Sequence, residues 1–217
     1  MATNVLALYN IALASLGERV LDSTAENRET RKQLDMIYAA GNGAINYWLE
    51  QGMWNFAMRE TTSTASASTG NFNFRYSHDK PTDFVRLSAI SLDQTFGSLV
   101  TRYEFQATHI RAETDTLYLR YVSNTTAYGN DLTKWPDSFI QWAGHWLGVQ
   151  VAPYAVTAGN SNIDIPSLKR DAHRLLVDAR SKDGQQEPVR FQPMGNWARA
   201  RLGRRGGDRG SRSQLTE

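Results

Sequence analysis

Apolar residues recur at helical spacing at the start of the chain. Between residues 5 and 16 they stand three and four positions apart, which places them on one face of a helix. Thr3 or Asn4 can cap the start of this helix, since their side-chain oxygens accept from free backbone amides, and Gly17 can close its end. The pattern predicts a first amphipathic helix.

A second apolar stripe runs from residue 34 to residue 49. Ser23-Thr24-Ala25-Glu26 precedes it with capping-box spacing, so we expect the second helix to begin there and to end at Gly52. Gly41-Asn42-Gly43 interrupts the stripe, and each glycine costs about 1 kcal/mol relative to alanine inside a helix. Two interpretations stay open. The chain breaks into two shorter helices, or Gly41 and Gly43 admit close packing by another helix or a neighbouring subunit.

From Trp54 to about Val122 the apolar period changes to two. Such alternation predicts antiparallel strands with one covered face. Thr61 to Gly70 is almost entirely Ser, Thr and Ala, and we expect it to form a long hairpin tip, exposed or functional. The residues expected on the covered face are Leu99, Thr101, Tyr103 and Phe105, followed by Leu117, Leu119 and Tyr121.

Helical spacing returns after Trp135-Pro136-Asp137. We expect Pro153 to limit or kink the end of this third helix, because proline lacks the amide hydrogen that a helix interior needs. A last helix is predicted from near Pro166 to Asp183-Gly184.

The predicted order is therefore two helices, a group of strands, and two further helices. This order favours an α+β fold, a four-helix bundle with an inserted small antiparallel β domain and an extended C-terminal arm. The predicted boundaries are residues 1–53 and 136–184 for the helical bundle, 54–135 for the β domain, and 185–217 for the arm.

The arm differs in composition from the rest of the chain. Residues 185–217 hold seven arginines, no lysine and three acidic residues, a balance of +4, whereas the whole chain carries +2. The segment has no apolar periodicity and cannot bury enough surface to offset its own ordering entropy. Arginine with aromatic residues is typical of docking surfaces between proteins. The residues expected to dock are Arg190, Phe191, Trp197, Arg199, Arg201, Leu202, Arg204 and Arg205.

Sequence signatures of catalysis are missing. The chain has no cysteine, which excludes disulfides and thiolate chemistry, and it lacks the glycine-rich phosphate and dinucleotide loops. A cation or acid/base pair built from Glu113 and Asp115 beside Asp79 and Asp83 is a weak alternative. We expect no enzyme activity, no cofactor and no metal. No run approaches the ~20 apolar residues of a membrane span, so we expect no membrane association.

One stretch of the arm suggests a different function. Arg204-Arg205-Gly206-Gly207-Asp208-Arg209-Gly210 resembles the arginine- and glycine-rich segments that bind RNA or single strands through charge and stacking. It is a single copy with an acid inside it. A nucleic-acid-binding protein acting through this tail is the alternative to a protein-docking arm.

A series of short motifs runs through most of residues 5–202. They are Ala12-Leu13-Ala14-Ser15-Leu16-Gly17, Trp54-Asn55-Phe56-Ala57 with Arg59, Tyr76 through Pro81-Thr82-Asp83-Phe84-Val85-Arg86-Leu87, Leu117-Tyr118-Leu119-x-Tyr121-Val122, Trp135-Pro136-x-x-Phe139, Ala179-Arg180-x-x-Asp183-Gly184 and Trp197-x-x-Ala200-Arg201. In order and spacing, the chain resembles the head-to-tail adaptor proteins of tailed bacteriophages, in particular the tail tubular protein A group of short-tailed phages. Gly41-Asn42-Gly43 departs from this family, in which an uninterrupted helix is expected.

The resemblance implies a structural, non-enzymatic protein of the virion neck, synthesised in the cytoplasm of the host bacterium. It implies a homo-oligomeric ring of twelve copies under the portal protein, joined below to a downstream tail or nozzle protein. Genomic DNA would pass through the central channel without specific binding. The resemblance also implies that the C-terminal arm docks on the portal.

Overall fold

The computed structural model describes residues 4–39, 43–68, 74–157 and 163–186. Within these ranges the protein is α+β, with five α-helices and two small antiparallel sheets. The helices are α1 (Val5–Ser15), α2 (Glu29–Ala39), α3 (Gly43–Glu50), α4 (Asp137–Thr157) and α5 (Ile165–Gly184).

Seven strands lie between α3 and α4. The first sheet has the strand order β1-β7-β4 and the second has the order β2-β3-β6-β5, with every pairing antiparallel. A short 3-10 helix, Asn55–Ala57, connects α3 to β1, and another, Leu132–Lys134, precedes α4. The strands are β1 (Met58–Thr64), β2 (Ala67–Ser68), β3 (Tyr76–Asp79), β4 (Phe84–Ser91), β5 (Glu104–Phe105), β6 (His109–Ala112) and β7 (Thr116–Ser123).

The predicted first helix is confirmed as α1. Asn4 caps it, because its side-chain oxygen accepts from the amide of Ala7 at 2.8 Å. Gly17 follows the helix with a φ of +70°, the left-handed conformation that closes many helices.

The second predicted helix is two helices. Gly43 opens α3 with a φ of +69°, and a Cβ there would collide with the carbonyl oxygen of Tyr38. Glycine is therefore required at this position by the backbone of the chain itself, as the interpretation of a helix break predicts. Gly41 lies outside the described residues, and packing of a neighbouring subunit on these glycines stays a prediction.

The predicted start of the second helix is wrong. The helix α2 begins at Glu29 rather than at Ser23. The Ser23 hydroxyl accepts from the amide of Ala25, and the Glu26 carboxylate accepts from the amide of Asp22 instead of that of Ser23. The capping residues therefore stabilise a turn that precedes the helix, a competing use of the same side chains.

Helix α4 lies at the centre of the helical core and packs against α1, α2 and α5. Gly144 and Gly148 lie one turn apart on its buried side. A Cβ at Gly144 would collide with the side chain of Ile11, and one at Gly148 would lie 3.0 Å from the carbonyl oxygen of Ala12. The two glycines thus allow α1 to approach the backbone of α4 closely.

The last two helices agree with the sequence, with one correction. Pro153 lies inside α4, which continues to Thr157, so the expectation that it limits the helix is wrong, while the alternative of a kink near the helix end stays a prediction. Helix α5 has the predicted extent, and Ala172, Leu176 and Ala179 are buried on its inner face, as the apolar stripe predicts.

A second, smaller core lies among the strands. It contains Leu117, Leu119 and Tyr121, as predicted, packed with Ile90 and Ile110. Val122, on the opposite face of β7, belongs to the helical core. The strand β7 therefore joins the two cores.

The predicted covered face of residues 99–105 is wrong. Leu99, Tyr103 and Phe105 are 55%, 37% and 47% exposed, and Thr101 is also exposed. Only Glu104–Phe105 forms a strand there, at the edge of the second sheet. This segment leaves the first sheet after a single bridge between Leu99 and Ser91, and its apolar side chains stay largely exposed among the described residues.

The predicted hairpin tip is also partly wrong. Thr61–Thr64 belong to β1 and pair with Thr116–Leu119 of β7. The short β2 follows, and residues 69 and 70 lie outside the described ranges.

Replacing Gly43 with alanine tests the break between α2 and α3. Gly17→Ala is the control. We expect it to lower the free energy of unfolding by about 1 kcal/mol, because its backbone is left-handed and nothing lies within 4 Å of the added Cβ. Gly43→Ala adds the collision with Tyr38 to the same backbone cost, and should therefore lower the melting temperature further. Thermal unfolding followed by circular dichroism measures both. Equal or higher stability of Gly43→Ala would contradict the described break.

Candidate functional site

The structure locates the predicted functional residues unequally. The docking residues of the arm, from Arg190 to Arg205, lie outside the described residues, as does Gly41. Gly43 is described, and its role is the helix break given above. The described region of most interest is therefore the end of α5, from which the chain continues into the arm.

The end of α5 is attached to the start of the strands. Asp183 is 7% exposed, and its two carboxylate oxygens accept from the backbone amide of Asn55 at 3.2 and 3.1 Å. The side-chain amide of Asn55 donates in return to the carbonyl oxygen of Asp183 at 2.8 Å. This reciprocal pair, here called the Asn55–Asp183 clamp, joins residues 128 positions apart and fixes the place at which the arm begins.

Aromatic side chains pack beside this clamp. Trp54, directly before Asn55, is fully buried, and its ring centroid lies 4.8 Å from that of Phe139 on α4. Trp135 packs edge-on against the same Phe139, also at 4.8 Å. The indole nitrogen of Trp54 donates to the carbonyl oxygen of Trp48 at 3.0 Å. These rings join α3, the short 3-10 helix and α4 into one rigid packing unit.

The first sheet meets this region at a buried carboxylate. Asp83, which precedes β4, is 6% exposed and accepts from the guanidinium of Arg59 on β1 at 2.8 Å. The phenol of Tyr121 on β7 donates to it at 3.0 Å, and the hydroxyl of Ser123 also donates to it. The guanidinium of Arg59 lies 5.8 Å from the ring centre of Tyr128. One carboxylate thus connects all three strands of the sheet.

The charge of Asp83 is favoured by these donors. Burial alone would raise the pKa of Asp83, but the hydrogen bonds from Ser123, Arg59 and Tyr121 outweigh burial and hold that pKa below its ordinary value. Burial and the bond to Asp83 raise the pKa of the Tyr121 phenol, so this group stays protonated and donates. The arrangement is a satisfied structural network.

Residues from five of the short sequence motifs meet in this region. Trp54-Asn55, Asp83, Tyr121, Trp135-Pro136 with Phe139, and Asp183 come from separate motifs in the chain, and all belong to the clamp, the aromatic packing or the Asp83 network. Sequence analysis named Asp83 as part of the weak cation or acid/base alternative and did not predict its buried network. The sequence feature that could have indicated this network is the positive charge of Arg59, on a strand predicted to have one covered face.

The weak alternative of a cation or acid/base site gains no geometry from the structure. The carboxylate of Asp83 is occupied by protein donors, and that of Asp79 lies 2.7 Å from His109 on the neighbouring strand. Among the described residues, no three His, Asp or Glu side chains are grouped as metal ligands would be. No helix within the described ranges combines the length and apolarity needed to cross a membrane.

The clamp can be tested with Asp183→Ala. Removing the carboxylate leaves the amide of Asn55 without these acceptors, which should cost about 1–3 kcal/mol in the free energy of unfolding. Asp178→Ala is the matched control, because Asp178 lies on the same helix in an exposed pair with Lys182 and should cost under about 1 kcal/mol. Urea denaturation measures both. Equal losses in the two variants would show that the clamp contributes nothing special.

The Asp83 network predicts a pH dependence. Because the folded pKa lies below the ordinary value of 3.8, the carboxylate contributes stability above that pH and loses it as the pH falls through the folded value. Asp83→Asn should cost about 3 kcal/mol near neutral pH, and the difference from the unsubstituted chain should narrow below about pH 4. Urea denaturation across this pH range measures it. The exposed Asp22→Asn, which removes the same charge, should show neither effect.

Comparison with known proteins adds no relative. No protein-family model matches the chain, and no curated protein matches it. The proposal below therefore depends on the chain's own sequence and its described contacts.

Proposed function

We propose that the chain is a structural head-to-tail adaptor of a tailed bacteriophage. In this proposal twelve copies form a ring under the portal protein, and the C-terminal arm of each copy docks on the portal. The strands face the downstream tail or nozzle protein, and genomic DNA passes through the central channel. The finer architecture proposed with it is a helical bundle that packs against neighbouring copies and carries the strands as a small inserted domain.

The observation that carries the proposal is the meeting of the resemblance motifs in one region. Five motifs that are far apart in the sequence supply the clamp, the aromatic packing and the Asp83 network. Their convergence supports the view that they form one functional structure, the base from which the arm leaves the body.

The charges of the chain suit an adaptor with a docking arm. Arginine pairs with two oxygens of a carboxylate at once, which favours recognition of acidic surfaces on a partner protein. An arm tethered at a fixed point raises the effective concentration of a second contact once the ring has met its partner. The 31 residues that follow Gln186 give such an arm considerable reach.

The near-neutral body is compatible with DNA passage. Residues 1–184 carry a formal charge of −2, against +4 for the arm. Strongly basic surfaces bind DNA through release of counterions and would retain it. A weakly acidic body would let the genome slide through without specific binding.

Truncation of the arm is the direct test. A chain ending at Gln186 keeps every described contact of α5, so we expect nearly unchanged helical circular dichroism and loss of binding to the portal. Tagged full-length and truncated chains are used as baits in producing cells after nuclease treatment, with mass spectrometry to identify what they hold. A chain ending at Arg205 is the matched control, because it keeps all eight predicted docking residues and should still hold the portal.

Two results would overturn the proposal. Portal binding by the chain that ends at Gln186 would remove the arm from the mechanism. Recovery of nucleic acid alone, lost on nuclease treatment and absent from the chain that ends at Arg205, would favour the alternative of a nucleic-acid-binding tail. That alternative also predicts affinity that falls steeply with salt.

A further inference from the structure

The strands carry an apolar surface that no described part of the chain covers. Leu99, Tyr103 and Phe105 are exposed although they alternate with polar residues as buried strand residues do. Phe105 packs on one side against Phe84, with 5.7 Å between ring centroids, and Phe84 stacks in turn on the buried Tyr121 at 5.4 Å. The exposed ring of Phe105 is therefore held in place from behind.

These rings form one wall of a groove. Residues 84–88 of β4 form the other wall and face Tyr103 and Phe105 across a volume of about 340 Å³. The floor and walls are mostly apolar or aromatic. A groove of this kind fits a few consecutive side chains of an extended peptide better than a compact ligand.

The backbone along the same groove is open. The strand β4 is an edge strand of the first sheet. The edge is closed at the C-terminal end of β4, because the amide of Val100 donates to the carbonyl oxygen of Ile90 at 2.9 Å and the amide of Leu92 donates to that of Ser98 at 3.1 Å. After Val100 the chain turns away to β5. On the edge that does not pair with β7, residues 85–89 of β4 have no neighbouring strand within the described parts of the molecule. Open edges of this kind are templates for an added strand.

The charged side chain that lines the groove is positive, while Glu104, between Tyr103 and Phe105, is exposed and is not among the lining residues. Arg86 is the charged residue among those that line the groove, and one nitrogen of its guanidinium donates to the carbonyl oxygen of Glu50 at 2.8 Å. Its other N–H groups have no acceptor among the described residues and can bind a further one. Lys80 lies at the aromatic wall, with its ammonium 3.4 Å from the ring centre of Phe105.

We propose that this groove binds an extended segment of a partner protein in which apolar and acidic residues alternate. The segment adds to β4 as a strand, places its apolar side chains against Tyr103 and Phe105, and pairs its carboxylates with Arg86 and Lys80. The open backbone edge favours a peptide, which supplies hydrogen bonds in register, over a nucleic acid. If the chain is the proposed adaptor, this partner is the downstream tail protein, and that identification rests on the proposed function. The groove and its chemistry do not rest on it.

The charges also argue against the chain's own arm as the occupant. Residues 185–217 carry seven arginines and a balance of +4, so the arm of a neighbouring copy would bring cations toward Arg86 and Lys80. An acidic segment gains attraction at the same positions.

The test uses the full-length chain and three synthetic probes. They are a peptide of alternating valine and glutamate, the same peptide with lysine for glutamate, and the glutamate peptide interrupted by proline. We expect the glutamate peptide to bind at least about ten-fold more tightly than the other two, and to slow hydrogen exchange of the amides of residues 84–88. Titration calorimetry and exchange measured by mass spectrometry give the two readouts.

Matched variants locate the binding. Phe105→Ser should weaken the glutamate peptide by about ten-fold or more, since it removes an exposed anchor without emptying a core. Arg86→Glu should reverse the preference in favour of the lysine peptide. Leu92→Ser is the control, because Leu92 is 50% exposed and lies outside the groove residues. It should bind like the unsubstituted chain, with all three variants showing unchanged circular dichroism.

Four results would overturn the proposal. The first is equal binding of the glutamate and lysine peptides, or no binding of either peptide. The second is an affinity that Phe105→Ser leaves unchanged. The third is self-association of the chain that Phe105→Ser abolishes, which would make the groove an interface between copies. The fourth is displacement of the peptide by a single-stranded oligonucleotide. None of these results depends on portal binding, so this proposal and the adaptor proposal can fail separately.

Discussion

The structure depends on keeping one carboxylate charged in a buried place. Asp83 accepts from a cation on β1 and from two hydroxyls on β7, so three strands are positioned by a single acceptor. The network extends further, because Gly129 donates to the carbonyl oxygen of Ser123 and accepts from the indole of Trp135, the residue that leads into α4. A buried charge is costly unless every donor is in place. The sheet and the helices are therefore joined by a set of contacts that must form together.

Sequence analysis succeeded where one periodic face meets one core. The stripe of α5 and the alternation of β7 each pack their apolar side against a layer that exists, so periodicity gave the right elements. It failed where local contacts compete with the pattern. Ser23 and Glu26 have helix-capping spacing but close a turn, and residues 99–105 alternate like a covered strand but remain largely exposed among the described residues.

The functional region was predictable only in part. The sequence shows that residues 185–217 differ in composition from the rest of the chain, and it contains the short motifs around Trp54 and Asp183. That Asn55 and Asp183 bind each other is not visible in the sequence, since a pairing across 128 residues leaves no trace in spacing. Similarly, Arg59 and Asp83 are ordinary surface residues in the sequence and become partners only when β1 and β4 flank β7.

The contact of α1 with α4 has a consequence for how this chain can vary over evolutionary time. Ile11 occupies the space that a side chain at position 144 would need, and Ser15 does the same at position 148. Gly144 cannot gain a Cβ while Ile11 keeps its size and position, whereas a Cβ at Gly148 would also lie 3.0 Å from the backbone carbonyl oxygen of Ala12. We therefore expect related chains with a larger residue at position 144 to have a smaller one at position 11. The two positions lie far apart in the sequence but fill the same limited volume of the core.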